Sequence, residues 1–143
     1  MRSRDALEAP EALVLTMVLV AAADGGITDR EIGVMAGLVQ TLPVFRDFAT
    51  AQFTTVTDAA VALLREEDGL KHAGRLIRAA LSNKLRETAY VIACEVVAGD
   101  RAVSSGSLDM LAFVRDELHL DPLIAGALER GIRARHQRAD PGG

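Results

Sequence analysis

With 143 residues, half of them apolar, the chain is long enough to bury one core without disulfides or a structural metal. Four Phe, one Tyr and no Trp leave Ala, Leu, Val, Ile and Met to fill that core, a composition suited to helices packed through small side chains. A net charge of -4 and a pI near 5.3 argue against a nucleic-acid partner, because phosphate binding rests on clustered Lys and Arg.

Helical periodicity runs through almost the whole sequence and strand alternation is nearly missing, so an all-α fold is expected. A first helix opens at Pro10-Glu11 and continues, apolar on every side, through Ala23. Its run Ala12–Ala23 superficially copies a secretory signal. However, Asp5, Glu8 and Glu11 offset Arg2 and Arg4 where a positive n-region belongs, and a helix start follows directly. The run is also too short for a bilayer, which takes about twenty apolar residues. It reads as a buried core helix of a cytoplasmic protein. It stops at Asp24-Gly25-Gly26, and Thr28 with Glu31 has capping-box spacing for the next helix. That second helix carries Ile32, Met35, Ala36 and Val39 inward, leaves Arg30 and Gln40 to solvent, and ends at Pro43.

Phe45, Phe48, Ala49 and Phe53 keep helical spacing, and Thr57-Asp58 has the chemistry of a fresh cap before Ala60, Leu63 and Leu64. After a junction at Glu66–Gly69, residues Leu70, Ala73, Ile77, Ala80 and Leu81 mark an amphipathic helix that ends near Ser82-Asn83. A long helix from Lys84 to Val97 breaks at Gly99-Asp100. Its Cys94, with no second cysteine to pair with, reads as a buried thiol in a reducing compartment. Ser104 caps a helix with Leu108, Leu111, Ala112 and Leu118 on one face. Asp121-Pro122 starts a last helix through Leu123, Ile124, Ala127, Leu128 and Ile132, with proline tolerated at the first helical position. The expectation is one domain over 1–143, with its core at about 11–135 and a frayed polar tail at 136–143.

Sliding the sequence over itself so that Asp24 meets Asp100 reveals a repeated order: small residues, aspartate, a gap, a β-branched apolar residue, and a hydroxyl cap at Thr28 or Ser104. Ile32, Met35 and Ala36 then fall on Leu108, Leu111 and Ala112, which suggests an internal duplication of a helix-turn-helix unit.

The phrase Ala23-Asp24-Gly25-x-Ile27-x-x-x-Glu31, the Ala-rich helix before it and the partial second copy at Asp100 resemble the TerB family of tellurite-resistance proteins. That fold is also found in a membrane-anchored DnaJ-like co-chaperone. The resemblance spans about Leu13 to Ile132. It implies an all-helical bundle of about seven helices, a non-enzymatic role in metal-ion or chemical stress, and protein partners that include a membrane-associated stress complex, with no direct membrane insertion. It also implies a divalent metal ion at the acidic turns, with Asp24, Glu31 and Asp100 as the ligands. The second copy departs from the pattern: Gly25 corresponds to Arg101 and Glu31 to Ser107, with only Asp109 nearby as a replacement acid.

Each of these acids also has a purely structural account. Asp24 can bond backbone N–H groups of its turn and favour the next helix start, and Glu31 is explained as half of a capping box. A calcium loop of the EF-hand type is excluded by register. Counting from Asp24, the positions that need Asp, Asn or a bidentate Glu hold Gly26, Thr28 and Met35. His72, His119 and His136 are scattered without zinc-ligand spacing and read as surface histidines, and no nucleophile–base motif is present. Glu95, in an apolar helix, needs a partner, for which Arg75, Arg78 or Arg101 is expected. The arginines at 130, 133, 135 and 138 read as a solvated face of the last helix and tail. A binding module is therefore expected. The alternative is a protein–protein scaffold or co-chaperone-like adaptor that holds no ligand and works through an exposed groove.

Overall fold

The computed structural model describes residues 6–99 and 103–139, which form seven α-helices and one short 3-10 turn, with no strand among the described residues. The helices are α1 (Ala9–Ala21), α2 (Asp29–Thr41), α3 (Thr50–Leu64), α4 (Gly69–Ala80), α5 (Asn83–Ala98), α6 (Ser105–Glu117) and α7 (Pro122–Arg135), and the 3-10 turn covers Pro43–Phe45. The all-α expectation is met.

Apolar side chains all round α1 dictate its place. Every residue from Glu11 to Ala21 is buried, and α1 packs on α5, α3, α4, α6 and α2. A lone helix of this length is marginal in water, so tertiary burial is what holds it. The second buried helix, α5, contributes Ala89, Tyr90, Ile92, Ala93 and Val96 and carries α7 on its far side. Met35 from α2, Phe45 from the 3-10 turn and Leu118 from the end of α6 complete the core.

Several expectations change. Thr57-Asp58 does not start a helix: both residues lie inside the continuous α3, and Thr57 Oγ1 is buried with no hydrogen-bond partner among the described residues. The start of α3 is instead held by Gln52, whose Oε1 accepts from Ala49 N at 2.8 Å. On three helices some of the apolar positions that mark the helical pattern face solvent: Ile32 on α2, Leu108 on α6 (54 % exposed), and Leu123 (84 % exposed) and Ile124 on α7. On α7 it is Ala125 and Ile132 that reach the core. The tail expected to fray begins with a pinned residue, because α7 runs to Arg135 and His136 is engaged by Glu95.

The link between α6 and α7 is short and turns at His119, in the left-handed region at φ 55°. The two helices are thus joined closely at one end. Both rest on α5 and barely touch each other along their lengths.

Candidate functional site

Two features stand out: the acidic turn that the sequence advertises, and a trench that it does not.

The turn after α1 reverses at Gly25, whose φ of 112° favours glycine. Thr28 and Glu31 then form the expected reciprocal cap. Glu31 N donates to Thr28 Oγ1 at 3.1 Å, and Thr28 N donates to Glu31 Oε1 at 2.8 Å. Glu31 is buried and also accepts from the Thr28 hydroxyl at 3.0 Å.

The start of α6 is capped differently. Ser107 N donates to Ser104 Oγ at 3.0 Å, but Ser107 has no carboxylate to return the contact. The carboxylate comes from Asp24, whose Oδ2 accepts from Ser104 Oγ at 2.5 Å and lies 3.5 Å from Ser107 Oγ. Asp24 therefore supplies negative charge to the N-terminal end of a helix distant in sequence, where the helix dipole favours it. Gly106 permits the approach, since a Cβ there would lie 2.5 Å from Asp24 Oδ1. Glu31 and Asp24 are separate caps, and Asp100 lies outside the described residues. Among the described residues no three His, Cys, Asp or Glu side chains gather where they could hold a metal ion.

The trench follows from the way α6 and α7 diverge over α5. Near their junction, Leu120, Pro122, Ala125 and Gly126 line a space of about 310 Å3. Arg115 and Glu129 then bridge the two helices at 3.5 Å, and the Tyr90 hydroxyl donates to Glu129 Oε2 from below. Beyond this bridge a larger slot of about 460 Å3 opens. Its floor is Tyr90, Cys94 and Val97 on α5, and its walls include Leu111 and Ala112 on α6 and Ile132 on α7. Val103 and Leu108 form an exposed apolar lip, and Arg133 stands exposed at the mouth.

The floor is kept uncharged. Burial, together with the bond to Glu129, holds the Tyr90 phenol well above its ordinary pKa. Burial also pushes the Cys94 thiol up to about 11, against the opposing effect of its contact with Tyr90. This places the thiol as an inert apolar wall at neutral pH.

Glu95 points away to its own partners, which are not those expected. Arg135 grips it with a two-pronged contact at 2.9 and 3.1 Å, and His136 Nε2 lies at 3.3 Å. Arg78 pairs instead with Glu117 at 3.3 Å and contacts His119. Burial disfavours the Glu95 charge, yet Arg135 and His136 outweigh it and hold the carboxyl below its usual range. The effect is to fasten the end of α7 to α5. His119 and His136 are exposed and His72 half-buried, on separate elements.

No protein-family model, curated protein or solved structure matches the chain. Among the described residues no helix is long and apolar enough to cross a membrane.

Proposed function

We propose that this chain is a non-enzymatic binding module of the TerB type, cytoplasmic, acting in metal-ion or chemical stress through a ligand or partner held in the trench between α6 and α7. One observation carries it: a slot of about 460 Å3 with largely apolar lining, within the range of natural ligand sites, set between α6 and α7 over α5. The internal duplication belongs to the same proposal, and the paired helix starts at Thr28 and Ser104 support it.

A divalent cation at Asp24, Glu31 and Asp100 is the second proposal, supported by the exposed carboxylate of Asp24 beside the hydroxyls of Ser104 and Ser107. Asp24 and Glu31 already serve as caps, so a cation there would have to share or displace those bonds.

The two are separated by two titrations of the full chain. N-phenylnaphthylamine, an uncharged dye that brightens in apolar surroundings, reports the slot. Saturable binding that is lost when Ala112→Trp fills the slot supports the trench; no binding, or binding indifferent to that change, removes it. Calorimetry with calcium, magnesium, zinc and manganese reports the turn, where saturable heat abolished by Asp24→Ala would restore the cation as the principal ligand.

A further inference from the structure

We infer that α7 is a strap that lets go of α5 and swings on the α6–α7 link, baring Tyr90, Cys94 and Val97; that this opening admits the occupant of the slot rests on the trench reading above.

The floor demands a moving wall. Tyr90, Cys94 and Val97 border about 460 Å3 of space yet are each less than a tenth exposed, so a molecule wider than water does not reach them while α7 lies in place. They become a binding surface when one wall withdraws.

Of the two walls, α7 is the one free to move. Each of the other helices packs on at least two neighbours, whereas α7 packs along α5 alone and reaches α6 through the Arg115–Glu129 bridge. Of its fourteen residues only Ala125 and Ile132 are buried, with Leu128 half-buried between them, while Leu123 is 84 % exposed. The remaining fasteners are polar. Glu129 accepts from the Tyr90 hydroxyl, and at the far end Glu95 is clasped by His136 and by Arg135, whose side chain is 66 % exposed. Ion pairs open to water on one side hold weakly.

The near end is made as a pivot. Leu118, fully buried, anchors the link to the core, and His119 turns the chain at a φ of 55°. The start of α7 is capped from within: Leu123 N donates to Asp121 Oδ1 at 2.7 Å, with Pro122 at the first helical position. The helix start thus borrows nothing from the other helices, and a swing about the link leaves it intact.

Cys94, the single cysteine of the chain, reports the opening. The experiment labels the folded full chain with N-ethylmaleimide, without urea and in urea below the unfolding transition. Labelling is expected to proceed and to depend only weakly on urea, because the opening exposes little surface. Ala125→Gly removes a buried methyl of α7 outside the slot and is expected to speed labelling roughly tenfold. Arg135→Ala is expected to speed it about twofold, and decides if Ala125→Gly unfolds. Glu31→Ala, on α2, is expected to leave it unchanged. Labelling that rises steeply with urea, or that Glu31→Ala speeds as much as Ala125→Gly, reports global unfolding and overturns the strap. A folded chain in which Cys94 never reacts, or reacts equally in every variant, overturns it too.

N-phenylnaphthylamine tests what the strap guards. A slot entered through the open state gains affinity as that state becomes commoner, so Ala125→Gly should tighten dye binding by the same factor as it speeds labelling. Faster labelling with unchanged dye affinity overturns the gate and leaves the strap. A dye that binds neither chain removes the trench reading and the gate with it, while labelling still decides the strap.

Discussion

The turn after α1 and the trench between α6 and α7 are opposites in one respect. Around the turn, polar groups bond to one another: Thr28 with Glu31, and Ser104 with Asp24. In the trench, the apolar lip at Val103 and Leu108 is exposed and Arg133 has no counter-charge among the described residues. A conspicuous motif can thus be fully occupied in building the fold, while a site with room for another molecule leaves no motif. The contrast predicts that changes at the turn register as stability and changes in the trench register as binding.

The largest stability effect is expected where the trench meets the core. Tyr90→Ala removes a fully buried ring and strands Glu129 with Arg115, and should cost roughly 3 kcal/mol in chemical denaturation. A cost near zero would mean that the trench floor is not part of the core. Next comes Glu31→Ala, which opens the cap of α2 and should cost about 1 kcal/mol, with dye binding unchanged.

Asp24→Ala should cost about 0.5 kcal/mol, by removing the borrowed carboxylate from the start of α6. The arrangement also predicts a rescue. Ser107→Glu places an acid at the position that Glu31 occupies on α2, so the cost of Asp24→Ala should shrink in that background. Equal costs in both backgrounds would show that Asp24 does not act through the α6 cap.

The smallest effect is the one tied to pH. Because Glu95 has a lowered pKa in the folded chain, its ion pair contributes fully above the ordinary carboxylate value of 4.5 and fades as pH falls through the lowered one. Arg135→Ala should therefore lower Tm by about a degree at pH 7 and by less at pH 3.

Much of the fold is legible in local sequence. Apolarity from Ala12 to Ala21, interrupted only by Thr16, marks a central helix, and the Thr28–Glu31 spacing marks a cap that needs no distant partner. What fails is whatever depends on neighbours. Thr57-Asp58 has the same chemistry at a cap as inside a helix, and only the continuity of α3 decides between them. Periodicity finds an apolar stripe on α7, Leu123, Ile124, Ala127, Leu128 and Ile132, but not which edge of it is covered: Ile132 is buried as that stripe implies, Leu123 and Ile124 face solvent, and Ala125, outside the stripe, reaches the core. The partner of Glu95 lies on the last helix, and the borrowed cap joins Asp24 to Ser104; neither has a short-range signal. The trench depends on how far α6 and α7 diverge over α5, which is a property of packing alone.

The central claim is that this molecule binds through the trench and not through the acidic turn. The most direct test is a titration of N-phenylnaphthylamine against the wild type, Asp24→Ala and Ala112→Trp, with folding checked by circular dichroism. The account predicts equal binding by the wild type and Asp24→Ala and at least a tenfold loss in Ala112→Trp. Loss in Asp24→Ala with binding retained in Ala112→Trp would contradict it.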